Sequence, residues 1–462
     1  MNPCRQSLIS DHHVNWEEQS RAPRGNLSCG SDGFLSCGSD GFWRRSKRIC
    51  IVSNAPISQN PRVVKEADAL SAAGYDVFVV FAQHAEWTVS LDQDILNRAK
   101  WRARAIEIWP DGTRRQAFRV MLATRRVMFR TLAKVWKFAP IPELAYSRFL
   151  LEQLRLAIGA RADLYIGHNP QSLPVVVWAA RLTNAKYGFD FEDFHLGEAK
   201  PSESGALSHQ LLALIEGRYL SKAHLITAAS WGIAREVAKV HGLAEPLTVL
   251  NVFNWADRAK IAAPGLLARS DGLSLYWFSQ IVGLDRGLED VIRALEHVRA
   301  PVALHLRGAV TQEVKSNLIA IAQRCGVEGQ IRFLDPISPD NLLAAAAEHD
   351  VGLCLEVPST ASKDNCIANK IFIYMLAGLA VVASRTRGHT ELLKMSPNAG
   401  FLYDSDDPRG LAALIERLAR DRNLLQRTKA QALEAARDRW NWELESQTLV
   451  TAVDRVIGEG YE

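Results

Sequence analysis

Short apolar runs alternate with segments of helical spacing from Lys47 onward. Arg48–Asn54 is a short apolar run, Asn60–Gly74 has helical spacing and ends in glycine, and Asp76–Ala82 is a second apolar run. This order predicts a strand, a helix and a strand, which together form a βαβ unit. Further strand-like runs lie at Ala105–Trp109, Asp163–His168, Ala185–Asp190, His224–Ala228 and Leu247–Asn251. The pattern predicts a first domain over residues 47–254, with a parallel sheet covered on both faces.

A second alternation of the same kind follows an interruption. Residues 255–272 break both periodicities and indicate a linker. Beyond them, strands are predicted at Ser274–Gln280, Val302–Arg307, Gln330–Leu334, Asp350–Glu356 and Ala380–Ser384. The predicted fold class is α/β, with two Rossmann-like domains, 47–254 and 273–437, that face each other across a cleft. Residues 438–462 are predicted to form a C-terminal helix that packs back on the first domain.

The composition agrees with a globular protein of two domains. The chain has 462 residues, of which 48% are hydrophobic and 23% are charged. No apolar stretch approaches the roughly 18 residues that a membrane span needs. The seven cysteines show neither metal-ligand spacing nor a disulfide framework, and no secretory signal is visible. These features favour a reducing cytoplasm, while the net charge of +4 says little about partners.

The first 46 residues have a different character. The octapeptide LSCGSDGF occurs at Leu27–Phe34 and again at Leu35–Phe42, in a Gly- and Ser-rich setting without helix or strand periodicity. We predict that residues 1–46 form a disordered tail, and we assign it no function.

A turn near the end of the second domain is the strongest local indication of chemistry. Asn365–Leu393 predicts a helix ending in glycine, a buried strand, and a turn that opens another helix. In that turn, Thr386–His389 would present backbone N–H groups and a helix N-terminus to a diphosphate. An ordinary turn in which Gly388 serves only the backbone angle is an equally good interpretation.

Several segments in register resemble the GT-B glycosyltransferases of family 4. They are SNAPISQNPRVVKEADALSAAGYDV, HNPQSLPVVVWAARL, FDFEDFHLGE, WFSQIVGLDRGLEDVIRAL and NKIFIYMLAGLAVVAS. The resemblance covers Arg48 to about Ile457. It implies the GT-B fold, a nucleotide-sugar donor on the second domain and an acceptor on the first.

The resemblance implies a set of donor-binding residues. The family holds the donor diphosphate with two basic residues, and SQIVGLDRG matches this segment with Arg286 and Gly287, whereas Gln280 replaces the first cation. An arginine can still offer a fork of charged donors to a phosphate. A solvated arginine at a helix start is the alternative interpretation of Arg286.

The family's second signature, two glutamates eight positions apart, is absent from this chain. The matching positions are Asn365 and Ile373. Asn365, Asn369 and Lys370 remain donor-site candidates, together with Gly388 and His389 of the turn. Ile373 has no polar group that could bind the ribose hydroxyls. Glu356 and Glu391 are candidates to supply the missing carboxylate, and the alternative interpretation is that each caps a helix or pairs with a neighbouring residue.

Polar groups also cluster in the predicted cleft loop of the first domain. FDFEDFHLGE follows a strand and carries Asp190, Glu192, Asp193, His195 and Glu198. The family often has a histidine here, close to the reacting carbon. Registration puts Glu192 at that position, and we prefer His195 as the catalytic group. A structural role for His195, bonded to its acidic neighbours, is the alternative.

Four further residues are predicted on the acceptor side. His168 and Asn169 end a strand at the cleft edge, where polar residues of such sheets touch ligands. Asn60 and Arg62 flank Pro61 and resemble the family's turn before the first helix. Proline near a helix start explains Pro61 without function but leaves Arg62 unexplained.

The segment from Arg114 to Lys137 stands apart from the family signatures. It contains eight Lys or Arg residues and no Asp or Glu. Apolar residues recur as on one helical face, namely Phe118, Met121, Leu122, Phe129, Leu132 and Trp136. Such a helix can lie on an anionic membrane surface, or its apolar face can belong to the domain core while its basic face is solvated.

These observations favour a glycosyltransferase that moves a sugar from a nucleotide-sugar donor to a glycan or lipid-linked acceptor. Retention of anomeric configuration and a role in cell-surface polysaccharide or lipopolysaccharide assembly follow from the resemblance alone. We expect no metal and no cofactor besides the donor substrate, no nucleic-acid partner, and a cytoplasmic enzyme with peripheral membrane attachment as an option. A nucleotide-sugar epimerase or hydrolase of the same fold, or a degenerate binding protein, are the alternatives.

Overall fold

The computed structural model describes residues 35–37, 43–108, 112–198, 206–261 and 272–458. The chain divides into two units, Met1–Ser46 and Lys47–Glu462. In the first unit, strand β1 (Leu35–Cys37) pairs antiparallel with strand β2 (Trp43–Arg45). The sequence predicted disorder for all of residues 1–46. The β1–β2 pair differs from that prediction, because a short ladder can satisfy backbone N–H and C=O groups without sequence periodicity. The remainder of that tail, with most of the repeat, lies outside the described residues.

The first domain of the second unit is built on a sheet of seven parallel strands, in the order β5-β4-β3-β6-β7-β8-β9. The strands are β3 (Arg48–Ser53), β4 (Asp76–Gln83), β5 (Arg102–Glu107), β6 (Leu164–His168), β7 (Lys186–Phe191), β8 (Leu225–Ala228) and β9 (Leu247–Thr248). The middle strands β3, β6 and β7 are buried almost throughout, as expected for a sheet with helices on both faces. The predicted parallel sheet of this domain is confirmed.

Helices cover that sheet in the described part of the first domain. They are α1 (Pro61–Ala72), α2 (Val89–Arg98), α3 (Gly112–Leu132), α4 (Ile141–Tyr146), α5 (Leu150–Ala160), α6 (Leu173–Thr183), α7 (Leu207–Tyr219) and α8 (Trp231–His241). Helix α1 shows why the sequence folds this way locally. The Asn60 side chain accepts a hydrogen bond from the Val63 N–H, Pro61 occupies the first turn, and Gly74 follows the helix with a positive φ.

The second domain has a sheet of six parallel strands, in the order β12-β11-β10-β13-β14-β15. They are β10 (Leu273–Ile281), β11 (Val302–Ala309), β12 (Ile331–Leu334), β13 (Val351–Cys354), β14 (Ala380–Ser384) and β15 (Gly400–Tyr403). The fold class of two Rossmann-like domains is therefore confirmed. Strand β15 was not predicted, because a strand of four residues at a sheet edge is too short to show a period.

Helices surround this second sheet as well. They are α9 (Leu288–Leu295), α10 (Gln312–Arg324), α11 (Pro339–Ala347), α12 (Ala361–Asn365), α13 (Lys370–Ala377), α14 (Arg387–Met395), α15 (Pro408–Arg420) and α16 (Arg422–Asp438). Helix α13 is apolar and buried along its length, and it packs between β13, β14 and α16. Its burial fixes the polar residues at its N-terminus relative to the sheet edge.

The described residues contain parts of two connections between the domains. Between the sheets, Trp255–Lys260 forms a 3-10 helix, while residues 262–271 of the predicted linker lie outside the described residues. At the end of the chain, helix α17 (Trp442–Gly458) packs on α1 and β8 of the first domain. The Trp442 N–H donates to the Phe253 carbonyl (2.9 Å) and Lys186 Nζ donates to the Val456 carbonyl (2.7 Å).

Helix α3 divides its apolar residues between the core and the surface. Phe118, Leu122 and Phe129, three members of the predicted apolar face, pack against core clusters of the first domain. Met121, Leu132 and Trp136, the other three, are exposed, and Trp136 lies beyond the end of the helix at Leu132. The predicted apolar face is therefore divided. The rest of the domain covers only part of the helix circumference, and the remaining apolar residues stay exposed. Among the described residues, no helix combines the length and the apolar character needed to cross a membrane.

Candidate functional site: the cleft between the two sheets

Loops from the carboxyl ends of both sheets meet in one cleft. The loop after β7, which contains His195 and Gly197, packs against α12 of the second domain, with Gly197 beside Ala361. Ser230, at the start of α8, donates its hydroxyl to the backbone carbonyl of Asn365 (2.7 Å). The carboxyl ends of parallel strands are where ligands of such folds bind. The two predicted halves of the site are thus neighbours in this structure.

A pair of salt bridges also joins the two domains. Arg235 on α8 binds Glu391 on α14 through two hydrogen bonds of 2.8 and 2.6 Å. Arg387 lies at the start of α14. Its Nη1 is 3.8 Å from Oε1 of Glu236, and its Nε is 3.1 Å from Oδ2 of Asp364. Glu391 was a candidate for the missing ribose carboxylate, but here both of its oxygens bind Arg235. Its role in this structure is to connect the domains.

The diphosphate candidates lie at the end of β10 and on the loop that follows it. Gln280 is exposed at the end of that strand, and exposed Arg286 donates from Nη1 to the Ser279 hydroxyl (3.0 Å). Gly287 has φ +73°, and a Cβ there would lie 2.6 Å from the Leu355 carbonyl oxygen. This glycine lets the loop approach the end of β13 closely. An exposed guanidinium next to a serine hydroxyl and a sharp turn is suited to bind an anion.

A carboxylate and an ammonium group face each other next to that loop. Glu356 follows β13, Lys370 begins α13, and Lys370 Nζ lies 3.2 Å from Glu356 Oε1 and 4.9 Å from the centre of the Trp277 ring. Burial opposes the charge of Glu356, yet Lys370 and more distant cations including Arg286 hold its pKa below the ordinary value. Glu356 is therefore ionised at neutral pH. Asn369 lies beside Lys370 and is exposed.

The remaining donor candidates are buried. Asn365 is almost fully buried, and its side chain donates to the Ala361 carbonyl (2.9 Å) within α12. Ile373 lies in the core. His389 is fully buried, and its Nδ1 lies 3.0 Å from the Ser384 carbonyl. Direct contact of these side chains with a donor therefore has no basis in this structure, although the backbone of the Asn365 segment lines the domain junction.

The turn at Gly388 is explained by close packing. A Cβ on Gly388 would lie 2.3 Å from the Cys366 carbonyl oxygen, so only glycine lets α14 approach that loop. The hydroxyl of Thr386 caps the helix by accepting from the His389 N–H (3.1 Å), and the Arg387 N–H donates to Asp364 (3.0 Å). Two of the backbone N–H groups that the sequence offered to a diphosphate already have partners in the protein.

On the first domain, a buried ionic network lies under the cleft edge. Arg62 binds Asp190 through two hydrogen bonds of 2.7 Å each and donates to the Val249 carbonyl (2.7 Å). His168 lies between two carboxylates, with Nε2 2.9 Å from Glu66 and Nδ1 2.9 Å from Glu192. Arg62, Glu66, His168 and Asp190 are all at most 2% exposed. The two acceptor-side candidates Arg62 and His168 therefore touch protein groups and are closed off from a substrate.

The charges of this network are set by its members. Burial disfavours a charged His168, but Glu66, Glu192 and Asp190 raise its pKa well above the ordinary value. Burial likewise opposes ionised Asp190, while Arg62 and His168 lower its pKa. The network therefore holds an imidazolium and an aspartate in a region of low dielectric constant, where each stabilises the other.

Glu192 is the member of the network that reaches the cleft surface. Its side chain is 21% exposed. Asn60 Nδ2 donates to Glu192 Oε1 (2.5 Å), and Asn169 Nδ2 lies 3.5 Å from Glu192 Oε2. Asn60 and Asn169, two acceptor-side candidates, thus orient this carboxylate together with His168. A carboxylate fixed from three sides is a preorganised polar group.

His195 occupies a separate position further along the loop. Its Nδ1 lies 2.8 Å from Glu198, and its Nε2 has no hydrogen-bond partner among the described residues. Although burial lowers it, Glu198 and Asp193 raise the pKa of His195 overall. Burial raises the pKa of Asp193 to about 6. His195 thus combines a fixed orientation with a buried ring nitrogen whose hydrogen-bonding capacity is unused among the described residues.

A cavity of about 650 Å³ opens beside this loop. Its lining includes Asn54, Tyr146, Asn169, His195, Glu198 and His209. Its wall carries hydrogen-bonding groups of both kinds, which suits a polyhydroxylated ligand.

One group of side chains has the spacing of a metal site. A ligand atom of each of Glu66, His168 and Asp190 lies within 4.8 Å of the others. The Arg62 guanidinium is already bonded to Asp190 and lies 3.8 Å from Glu66. The chain thus supplies the positive charge that these carboxylates need from its own arginine.

The chain matches two protein families, one in each domain. The family described as glycosyl transferases group 1 matches residues 274–421, and the glycosyl transferase 4-like domain matches residues 59–252. The chain belongs to the group 1 glycosyltransferases. A search among curated protein sequences finds no match.

Solved structures share the fold of this glycosyltransferase. HepE of Anabaena, in complex with UDP and glucose, is 16% identical with a TM-score of 0.66, and the match covers 88% of this chain and 100% of HepE. Sucrose-phosphate synthase of Thermosynechococcus elongatus is 15% identical with a TM-score of 0.65, over 90% and 100% of the chains. A putative UDP-N-acetylglucosamine 2-epimerase of Listeria monocytogenes is 11% identical with a TM-score of 0.56, over 90% and 98%. At these identities the likeness concerns the fold alone.

Sequence reasoning missed several residues that build the cleft of the glycosyltransferase. Glu66 was detectable, since it lies four positions after Arg62 on the same face of α1. Arg235 and Ser230, which join the domains, gave no signal. Their partners lie 156 and 135 positions away, and such pairs become visible only when the domains are assembled.

Proposed function

We propose that this glycosyltransferase moves a hexose from a uridine diphosphate sugar to a glycan or lipid-linked acceptor, in the assembly of cell-surface polysaccharide or lipopolysaccharide. The observation that carries the proposal is the cluster of Arg286, Lys370 and Glu356 in the same cleft as the loop of Glu192 and His195. The UDP and glucose bound to HepE, a protein of the same fold, support the choice of nucleotide.

Arg286 and Lys370 are the proposed cations for the donor diphosphate. Gln280 leaves one family cation missing, and Lys370 is the ammonium group nearby that has an acidic partner to position it. Glu356 is the proposed partner of the donor's ribose or sugar hydroxyls, since Ile373 is buried and apolar. An ionised carboxylate accepts hydrogen bonds from hydroxyl groups, and two cations stabilise the diphosphate as it departs.

The proposed reaction retains the anomeric configuration. The bond between the anomeric carbon and the diphosphate oxygen breaks, and the acceptor oxygen bonds to the same face of the sugar. The acceptor's proton passes to the departing phosphate oxygen, so no protein nucleophile is needed. Glu192 and His195 form the polar wall next to the cationic sugar carbon, and Arg286 stabilises the leaving group.

The acceptor is proposed to bind in the cavity lined by Asn169, His195 and His209. The donor needs no further cofactor, and the proposed location is the cytoplasmic side, where nucleotide sugars are made available to such enzymes. Peripheral contact with the inner face of the plasma membrane would bring a lipid-linked acceptor to this cavity.

Ligand-dependent thermal unfolding tests the donor site. The melting temperature of the full-length chain is measured with UDP, GDP, ADP and dTDP and with their sugar derivatives, because a ligand that binds the native state raises it. We expect a rise with UDP and UDP-sugars, and loss of that rise in Arg286→Ala. Arg422→Ala is the matched control, since Arg422 is an exposed arginine at the start of α16. No rise with any nucleotide at millimolar concentration would refute the proposed donor site.

Product analysis separates transfer from the main alternative. The structural likeness to a putative UDP-N-acetylglucosamine 2-epimerase favours epimerisation or hydrolysis as the second candidate. Incubation with a UDP-sugar in the absence of acceptor would then give an epimer or free sugar at a rate that an added acceptor leaves unchanged. Transfer predicts that UDP release depends on the acceptor.

A further inference from the structure

The outward face of α3 and the turn after it form an unusual surface, which we call the α3 surface. Val127, Val135 and Phe138 are 67%, 85% and 75% exposed. Val120, Met121, Met128, Leu132 and Trp136 are also exposed. Neighbouring apolar groups on a soluble surface mark interaction sites more often than isolated ones do.

Positive charge borders these apolar groups. Arg119 and Arg126 are exposed seven positions apart on one flank of α3, and Lys134 is exposed after its end. Residues 114–137 contain no acidic residue. Burial, Arg126 and Arg119 together lower the pKa of Arg148, which shows that positive potential accumulates here. The α3 surface is therefore both apolar and basic.

The inner side of α3 is firmly attached to the first domain. Arg125 forms two hydrogen bonds of 2.8 and 2.7 Å to Glu152, and Leu122 and Ala133 are fully buried. After the helix, Arg218 donates to the Lys137 carbonyl (2.9 Å). The exposed apolar groups thus belong to an anchored helix and the turn after it, and the inner face of the helix already supplies the core contacts.

The α3 surface also lies next to the proposed acceptor cavity. Arg130 Nη1 and Nη2 each lie 3.2 Å from the Ser208 hydroxyl, and Ser208 lines that cavity. Tyr146, at the end of α4, lines it as well, and α4 packs along α3. A flat partner seated on the α3 surface would therefore be close to the cavity.

We propose that the α3 surface docks on a bilayer that contains anionic lipid. Its valine and aromatic side chains enter the acyl boundary, while Arg119, Arg126 and Lys134 pair with phosphate headgroups. A second copy of the chain fits less well, because it would bring two basic surfaces together. The inference deepens the proposed function, in that a lipid-linked acceptor would reach the cavity from this side.

Vesicle co-sedimentation of the full-length chain without donor tests the docking. Vesicles of phosphatidylcholine with about one third phosphatidylglycerol are compared with phosphatidylcholine alone, and we expect binding to the anionic vesicles that weakens with salt. The double variant Arg119→Gln/Arg126→Gln should bind roughly 25-fold more weakly, at about fivefold for each cation removed. Its control is Arg422→Gln/Arg427→Gln, which removes two exposed arginines of α16 and should bind as the parent does.

A second pair of variants tests the apolar part. Val127→Ser/Val135→Ser should weaken binding at least tenfold, while Leu182→Ser/Val240→Ser, which alters two exposed apolar residues elsewhere on the first domain, should not. Equal binding by test and control variants, equal binding to neutral vesicles, or concentration-dependent dimerisation that Val127→Ser/Val135→Ser abolishes would each overturn the proposal. The UDP-induced rise in melting temperature, measured on the same variants, shows separately whether the donor site is intact.

Discussion

The charged groups on the two sides of the cleft differ in burial and in their bonding partners. Under the first domain's edge, Arg62 and His168 are buried and bound to carboxylates of the protein, and Arg62 also donates to the Val249 carbonyl. On the second domain, Arg286 is exposed and donates a hydrogen bond to the neutral Ser279 hydroxyl. The first arrangement stabilises the shape of the site, because breaking a buried pair leaves an unpaired charge. The second leaves positive charge available to a ligand. Buried and paired charge thus supports the structure on one side, whereas exposed charge is the proposed binding group on the other.

The largest expected effect comes from the buried side. Arg62→Met removes a guanidinium that binds Asp190 and the Val249 carbonyl, so it should lower the free energy of unfolding by about 4 kcal/mol. Chemical denaturation measures this change. Arg48→Met is the control, since Arg48 pairs with Asp76 in a more exposed position and should cost less. An equally small loss of unfolding free energy in both variants would show that the buried ionic network does not stabilise the cleft edge of the first domain.

His168→Gln should lower stability by about 2 kcal/mol in a pH-dependent way. The folded-state pKa of His168 lies well above 6.5, so its stabilisation is fully present below pH 6.5 and is lost as pH rises through the folded pKa. The variant should therefore lose most stability, relative to the parent, at low pH, and the two should converge as pH rises. Denaturation at a series of pH values checks this. A difference that does not vary with pH would contradict a charged His168.

On the exposed side, Lys370→Met should weaken the binding of UDP-sugar about tenfold, since one of two proposed phosphate cations is removed. Titration calorimetry provides the affinity. Lys429→Met is a close control, because Lys429 pairs with Asp350 at 3.1 Å, as Lys370 pairs with Glu356 at 3.2 Å, but at the start of β13 and away from the cleft. If both variants bind alike, Lys370 is only a partner of Glu356.

The smallest effect is expected at the salt bridge between the domains. Arg235 and Glu391 are partly exposed, so Glu391→Gln should change stability by less than about 1 kcal/mol and leave donor affinity unchanged. Thermal unfolding with and without UDP measures both quantities. A clear loss of donor affinity would return Glu391 to the role of ribose carboxylate.

The position of one donor-side segment was predictable from the sequence. Arg286 and Gly287 lie in one short segment, and the structure puts that segment at the end of β10, next to the cleft. Arg62, His168 and Asn169 were predicted at the cleft edge, and all three lie at the carboxyl ends of strands or at the helix start after β3. Their burial was not predictable, because the partners of Arg62 lie up to 187 positions away.

The sequence by itself determined the alternation of strands and helices, the division into two α/β domains and the family segments. These properties depend on neighbours within a few residues, through the periods of strand and helix. The tertiary structure decided which polar residues are consumed by the protein and which remain for a ligand. In the folded chain, Arg62 and His168 are buried in the network next to Glu192, and Glu391 forms a salt bridge between the domains. Helix α3 has one face in the core and one face exposed to solvent. Those outcomes depend on burial and on distant partners, which no local pattern encodes.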